Sequence, residues 1–138
     1  MNAEKMTQKA MEALEAAHAD AVRKGHPELT TLHLLQALLD QEHGLTGNLL
    51  GKMGKDPGML KQAVSEELGK LPTFNGASGR VAASGGMNQV LVRSDDEAKQ
   101  LGDEYVSVEH LLLAILEEGK SGPAGRLLQE HSIRRKEL

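Results

Sequence analysis

The first candidate for chemistry is the tripeptide Gly-Lys-Ser at 119–121, the residues that close a nucleotide-binding P-loop. A P-loop has the pattern G-x-x-x-x-G-K-[S/T] between a strand and a helix, because its backbone N–H groups must surround the phosphates. Here Ala114 stands at the first glycine, and Glu117 and Glu118 repel phosphate. We therefore predict that the tripeptide ends one helix and that Ser121 with Pro123 begins the next.

The histidines are the second candidate. Zinc needs three or four converging ligands, but His33 and His110 stand one in each half of the chain at equivalent positions, and no H-E-x-x-H pattern occurs. Each falls in the first turn of a predicted helix, where an imidazole can serve the unpaired N–H groups of the helix start. No metal site and no bound cofactor are expected in this chain.

The third candidate is Ser107 with Glu109 and His110, which have the residue types of a hydrolytic triad. The side chains of a triad come from separated segments, so that their ends can meet at one point. These three lie within four consecutive residues at a helix start, and no G-x-S-x-G turn accompanies them. The sequence predicts no catalytic residue and no enzymatic activity.

Charge and composition exclude further classes. The 138 residues carry a net charge of −4, with one phenylalanine, one tyrosine and no cysteine. Acids and bases are mixed along the chain, so the basic surface and stacking platforms of a nucleic-acid binder are missing. No apolar run reaches the length of a membrane span. The absence of cysteine agrees with a reducing compartment, and we expect a cytoplasmic protein that binds neither nucleic acid nor membranes.

The chain contains an internal repeat. Residues 29–39, LTTLHLLQALL, align with residues 106–116, VSVEHLLLAIL, so that His33 falls on His110, 77 positions later. The alignment continues backwards without a gap and forwards after one inserted residue. The identical pairs in the core of the alignment are His33/His110, Leu34/Leu111, Leu35/Leu112, Ala37/Ala114 and Leu39/Leu116. Two copies of one unit therefore make up the chain.

Both copies have helical periodicity. Small apolar residues recur with helical spacing in each first helix, which predicts that these two helices pack closely at the centre of the domain. These residues are Ala10, Ala13, Leu14, Ala17 and Ala21 in copy one, and Val90, Leu91, Ser94 and Ala98 in copy two. The expected N-caps are Thr7, Thr30, Asp56 and Ser107, and Gly25 and Gly102 are the expected left-handed stops.

These patterns predict an all-α domain over residues 1–138, built from two pseudo-two-fold-related four-helix units. Repeat one covers residues 1–71, and repeat two covers residues 87–138. Residues 72–86, rich in Gly, Ser and Ala, are predicted to form a flexible linker. Copy two stops at Leu138, the counterpart of Leu60, so its last helix is truncated. We therefore expect a fragment of a longer chain.

The start of the chain and the core of copy two resemble a known family. The start MNAEKMTQKAMEALEAA, the segment GDEYVSVEHLLLAIL at 102–116 and the spacing of the two copies are similar to the N-terminal domain of the ClpB disaggregases, AAA+ chaperones of the Clp/Hsp100 class. The resemblance covers essentially the whole chain. The chain departs from the common pattern in two places: the linker end ASGGMNQVL is more glycine-rich than usual, and Ser132 stands where copy one has Gly54.

The resemblance implies a function. Domains of this family bind unfolded or aggregated polypeptides and help to deliver them to the central pore of a hexamer. By the same resemblance, the parent chain is expected to bind ATP and magnesium in its ATPase rings and to cooperate with the DnaK chaperone system through another domain. The residues that match those associated with substrate handling are Thr7, Asp103 and Glu109. The isolated domain is expected to be a monomer.

Two alternatives remain open from the sequence. The related ClpA and ClpC unfoldases share the double repeat, so the domain could instead dock a folded adaptor protein. The other alternative is a nucleotide-binding enzyme that uses residues 119–121. The site residues also have plain structural interpretations: Thr7 as an N-cap, Glu109 as a complement to the dipole at a helix start, and Asp103 as a loop residue after a glycine stop.

Overall fold

The computed structural model describes residues 5–41, 44–73 and 81–133. Within these ranges the chain is mainly helical, which confirms the all-α class. The helices are α1 (Gln8–Arg23), α2 (Thr31–Asp40), α3 (Leu45–Lys52), α4 (Pro57–Gly69), α5 (Gly85–Gln100), α6 (Val108–Glu118) and α7 (Pro123–Glu130). A 3₁₀ turn, Gly119–Ser121, joins α6 to α7. Two short strands, β1 (Glu28–Leu29) and β2 (Ala82–Ala83), pair in parallel.

The helix boundaries fall where local chemistry predicts them. The Thr7 hydroxyl accepts a hydrogen bond from the Ala10 N–H at 3.2 Å, which satisfies a donor that the first turn of α1 leaves free. Asp56 does the same for α4. Gly25 and Gly102 adopt positive φ angles of 69° and 73°, a conformation that favours glycine. These four predicted starts and stops are therefore confirmed.

Hydrogen bonds that cross between the copies reveal the pseudo-two-fold relation. The Thr7 N–H donates to the Val106 carbonyl at 2.9 Å, and the Ser84 N–H donates to the Leu29 carbonyl at 2.9 Å. Thr7 corresponds to Ser84 in the repeat, and Leu29 corresponds to Val106. The segment that precedes the first helix of each copy is thus held by the loop of the other copy. These two crossed joints were not predicted.

The interior is centred on α2 and α6. Every residue of α2 except Gln36 and Asp40 is buried, and α6 is buried nearly as completely. Helices α1 and α5 each bury one stripe of residues, which are all alanines in α1 and include Met87 and Glu97 in α5. The prediction that α1 and α5 form the centre is wrong, because helices with one apolar stripe cover a core, whereas α2 and α6 are apolar on nearly every side.

The predicted linker over residues 72–86 needs a correction at its end. Residues 74–80 lie outside the described part of the chain. The last residues of the predicted linker are ordered, since β2 pairs with β1 and α5 begins at Gly85. The Ser84 hydroxyl caps this helix by accepting from the Met87 N–H at 3.0 Å. Two glycines at 85–86 concealed this helix start, because glycine has low helix propensity.

The tripeptide at 119–121 ends α6, as predicted. Gly119 is the C-cap of the helix and has a φ of 55°. The next helix begins one residue later than expected: Gly122, rather than Ser121, is the N-cap of α7, and Pro123 is its first residue. The Ser121 hydroxyl instead bonds the Glu118 carbonyl. The expected truncated helix at the end of copy two lies outside the described residues.

Ser132 adopts a backbone conformation that its counterpart in copy one achieves with glycine. It is the one non-glycine residue with positive φ in the described ranges, at 59°, and its counterpart Gly54 has a φ of 72°. A side chain in this conformation costs about 1–2 kcal/mol, partly offset by the restriction of the unfolded chain. We expect Ser132→Gly to raise the free energy of unfolding by about 0.5–1 kcal/mol.

The measurement for Ser132→Gly is urea denaturation followed by circular dichroism. Gly54→Ser is the matched control and should lower the free energy of unfolding by a similar amount. A Ser132→Gly variant that is less stable than the parent domain would contradict this account of the turn.

Candidate functional site

The equivalent histidines His33 and His110 form the starts of α2 and α6. The Nδ1 atom of His33 accepts from the Thr30 N–H at 3.0 Å, and that of His110 accepts from the Ser107 N–H at 2.8 Å. Both rings are buried. Because Nδ1 is an acceptor in each ring, the neutral tautomer carries its proton on Nε2. The predicted role of these histidines at helix starts is confirmed.

The two copies differ in what the Nε2–H group meets. In copy one, the Nε2 atom of His33 lies 2.8 Å from the Nδ1 atom of buried His26. In copy two, the Nε2 atom of His110 lies 2.8 Å from Asp103 Oδ2. His26 and Asp103 are equivalent residues, each directly after a left-handed glycine. One backbone arrangement therefore holds a neutral pair in copy one and an exposed carboxylate in copy two.

Burial, and next to it the positive charge that His26 carries when it is protonated, lower the pKa of His33 to about 4. Burial also lowers the pKa of His26, and the cation of Lys24 contributes to this shift. A protonated His33 would have to place an Nδ1–H against the Thr30 N–H. The geometry of the helix start therefore disfavours the charged ring as well.

This arrangement predicts a pH-dependent stability. Unfolded His33 takes up a proton near pH 6.5, whereas the folded ring stays neutral down to about pH 4. The stabilisation is complete above about pH 6.5 and is lost as the pH falls towards 4, with a total of about 3 kcal/mol.

The measurement is the urea midpoint between pH 7 and pH 4, compared with that of His33→Gln. Glutamine at this position can still accept from the Thr30 N–H, as in a capping box, but it does not titrate. We expect the parent domain to lose more stability than the variant over this range. Parallel pH profiles for the two proteins would disprove the assignment.

A buried carboxylate lies where three helix starts converge. Glu118 is 8% exposed, and its Oε atoms accept from the Thr31 hydroxyl at 3.1 Å and from the Gly125 N–H at 3.0 Å. Gly86, near the start of α5, borders the same carboxylate. Since α2, α5 and α7 all begin here, their dipoles stabilise the negative charge.

The pseudo-symmetric counterpart of this place is open. We call it the inter-repeat pocket; it is a depression of about 290 Å³, mostly apolar, lined by Thr7, Lys9, Gln41, Gly44, Leu45, Ser107 and Val108. Here α1, α3 and α6 begin. Gln41 is the counterpart of Glu118, but its side-chain amide donates to the Lys9 carbonyl at 2.9 Å. The volume is near the lower limit for small-molecule pockets, so the depression can hold a few apolar side chains.

A second depression lies at the corner between α5 and α6, and we call it the corner pocket. It is lined by Lys5, Asp95, Ala98, Lys99, Asp103, Glu104 and Val106. Lys99 pairs with Asp95 at 3.2 Å, whereas the Asp103 side chain is half exposed. Met6 and Val106 form a parallel bridge. Val106 itself lines the corner pocket, whereas the next residue of each segment, Thr7 and Ser107, lines the inter-repeat pocket.

The three predicted site residues lie within three positions of Met6 or Val106 in the chain. Thr7 follows Met6 directly and lines the inter-repeat pocket. Asp103 precedes Val106 by three residues and lines the corner pocket. Glu109 is half-buried in the first turn of α6, next to Val108, and lines neither depression. The prediction that these residues contact a substrate remains a prediction.

Sequence reasoning missed the apolar lining of the inter-repeat pocket. Leu45, which is 40% exposed, is the main apolar group at its rim. The repeat could have revealed it, because the counterpart of Gln41 is an acid, Glu118, so comparing the two copies shows a difference at this position.

In the described ranges, no three His, Asp or Glu side chains converge as a metal site requires. The same ranges contain no helix long and apolar enough for a membrane span.

Comparison with known proteins identifies the family. The sequence pattern of the Clp repeat N-terminal domain matches residues 5–131. The chaperone protein ClpB of Nitratidesulfovibrio vulgaris is 43% identical over 141 residues, a match that covers the whole of this chain and 16% of that protein. ClpB of Clostridium perfringens is 34% identical over 136 residues, which cover 96% of this chain and 16% of that protein. The chain therefore spans about one sixth of the length of these relatives.

Solved structures show the same fold. The Hsp104 N-terminal domain of Candida albicans superposes with a TM-score of 0.85 at 24% identity, covering 96% of this chain and 85% of that one. The ClpV N-domain in complex with a VipB peptide gives a TM-score of 0.81 at 22% identity, covering 98% and 82% of the two chains. The family pattern over residues 5–131 and the two ClpB relatives together show that the chain belongs to the Clp repeat N-terminal domain family, in the form found at the N-terminus of ClpB chaperones.

Proposed function

We propose that this domain binds exposed apolar segments of unfolded or aggregated polypeptides, here called clients, and helps to deliver them to the AAA+ ring of a parent ClpB chaperone. The observation that carries the proposal is the open, mostly apolar inter-repeat pocket, whose counterpart is filled by the chain's own Glu118. Leu45 and Val108 offer apolar contacts there, and Thr7 supplies a polar rim.

Binding in this pocket is expected to be weak. A few apolar side chains bury little surface, and ordering a disordered client costs several kcal/mol of the contact energy. Weak binding suits a domain that must release each client to a motor. In this proposal the domain makes and breaks no covalent bonds, and Thr7, Asp103 and Glu109 contact clients rather than reactants.

The remaining parts of the proposal concern the parent chain. ATP and magnesium bind outside this domain, the parent assembles as a hexamer, and the DnaK system cooperates with it through another region. The isolated domain is proposed to be monomeric, and the cysteine-free sequence is in keeping with the cytoplasm.

The test is an NMR titration of the isotopically labelled domain with denatured casein. We expect shifts to concentrate on residues of the inter-repeat pocket, and Leu45→Ser to weaken binding several-fold. Val92→Ser is the matched control, because Val92 is also an exposed apolar side chain, at 62%, but lines neither pocket. Absence of any shift with casein at millimolar concentration, or equal effects of the two variants, would refute the proposal.

Docking of a folded adaptor protein is the second candidate. The observation in its favour is the similar fold of the ClpV N-domain in complex with a VipB peptide. A saturable one-to-one complex with a single folded protein, together with little binding of casein, would favour adaptor docking over client binding.

A further inference from the structure

The two copies present different surfaces at equivalent corners. After the left-handed glycine, copy one continues with His26 and Pro27, whereas copy two continues with Asp103 and Glu104. The backbone is the same in both, since the N–H groups of His26 and Asp103 bond equivalent carbonyls at 3.0 Å and 2.8 Å. The difference therefore lies in the side chains and not in the fold of the corner.

His110 fixes the orientation of the Asp103 carboxylate. Its Nδ1 atom accepts from the Ser107 N–H at 2.8 Å, so its Nε2–H donates to Asp103 Oδ2 at 2.8 Å. The His110 side chain is 2% exposed, whereas that of Asp103 is 50% exposed. A buried, packed ring thus anchors one oxygen of an exposed carboxylate, and the structure gives the other oxygen no hydrogen-bond donor among the described residues.

The surroundings of Asp103 combine negative charge with apolar surface. Leu101 and Tyr105, on either side of it in the chain, are 54% and 49% exposed. In copy one the residues at these positions are Lys24 and Glu28. In the lining of the corner pocket, Lys99 pairs with Asp95, and the other charged residues are the acids Asp103 and Glu104 and one cation, Lys5.

We propose that His110 is the positioning residue for Asp103, and that this pair makes copy two the part of the domain that accepts a basic client side chain next to an apolar one. This inference rests on the proposed function, because it names the client chemistry that the domain prefers. Copy one lacks this preference, since its corresponding ring, His33, is bonded to His26. The two copies therefore share one backbone arrangement, but only copy two binds basic side chains.

The probes are two unstructured peptides, one in which lysines alternate with apolar residues and a twin with glutamine at each lysine. Asp103→Asn keeps an acceptor for His110 and removes the charge. His110→Gln keeps an acceptor for the Ser107 N–H, as in a capping box, and removes the bond to Asp103. His33→Gln is the matched control in copy one. Circular dichroism verifies that each variant is folded.

We expect Asp103→Asn and His110→Gln each to raise the Kd of the lysine peptide about two- to five-fold, the contribution of an exposed ion pair. The Kd of the glutamine peptide should not change, and high salt should remove the difference between the peptides. The double variant should bind no more weakly than Asp103→Asn, because a positioning residue acts only through its partner. His33→Gln should leave both peptides unaffected.

The inference fails if His110→Gln leaves the Kd of the lysine peptide unchanged, or if its effect on that Kd adds fully to the effect of Asp103→Asn. It also fails if His33→Gln raises the Kd of this peptide as much as His110→Gln does. Leu45→Ser separates this failure from that of the proposed function. If that variant weakens both peptides while the variants at 103 and 110 have no effect, client binding stands without the basic preference. If neither the peptides nor casein bind to the unmutated domain, both proposals are wrong.

Discussion

Gly125→Ala is expected to lower the free energy of unfolding by about 3 kcal/mol, the upper range of overpacking costs. A Cβ atom at this position would lie 2.6 Å from the backbone N and O atoms of Gly119 and 2.9 Å from the Ile115 carbonyl oxygen. These are backbone atoms at the end of α6, so they cannot move aside without opening the last turn of that helix. The start of α7 packs against this turn only because residue 125 has no side chain.

Gly47→Ala is the control that the repeat provides. Gly47 is the counterpart of Gly125, in the first turn of α3, but a Cβ atom there would meet nothing within 4 Å. Alanine is the better helix former by about 1 kcal/mol, so this variant should be more stable than the parent domain. Urea denaturation of both variants measures the contrast. Shifts of the two midpoints in the same direction would contradict the structure of the α6–α7 junction.

Glu118→Ala is expected to cost about 3 kcal/mol, because it leaves the Thr31 hydroxyl and the Gly125 N–H buried without a partner. Each unsatisfied group carries a desolvation penalty of about 1–3 kcal/mol. Glu118→Gln keeps an acceptor oxygen and should cost less. The order of stabilities by chemical denaturation should be parent, Glu118→Gln and then Glu118→Ala.

Gln41→Ala is the control for this prediction. Gln41 occupies the same repeat position as Glu118, but its hydrogen bond to Lys9 is exposed, so we expect a change within about 0.5 kcal/mol. The prediction fails if the two alanine variants lose the same stability. In that case the carboxylate would not be the group that joins the starts of α2 and α7.

Much of the fold could be predicted from the sequence because its determinants are local. Thr7 and Asp56 act on N–H groups two or three residues away, and Gly25 and Gly102 fix their own backbone angles. Side chains of known chemistry within a few residues of a helix end leave a readable pattern. The repeat strengthened these predictions, since each assignment in copy one had a counterpart in copy two.

The parts that were not predicted depend on contacts between distant residues. The β1–β2 pairing joins Leu29 to Ala83, and two-residue strands are too short to show an alternating pattern. Glu118 accepts a hydrogen bond from Thr31, 87 residues away in the chain. The sequence near either residue contains no pattern that predicts this bond. The same holds for the inter-repeat pocket, because its walls come from the starts of three helices that only the folded chain brings together.

The crossed joints have a further consequence. In each copy, a short arm before the first helix is held by the loop of the other copy, with the Thr7–Val106 and Ser84–Leu29 bonds related by the repeat. In a single copy alone, the N–H of the arm would have no acceptor and the loop carbonyl would have no donor. Two identical copies would supply these partners to each other. This is the geometry of an isologous homodimer, here fused into one polypeptide. Fusion leaves each half free to diverge, as Gln41 and Glu118 have done, whereas identical subunits would be bound to change together.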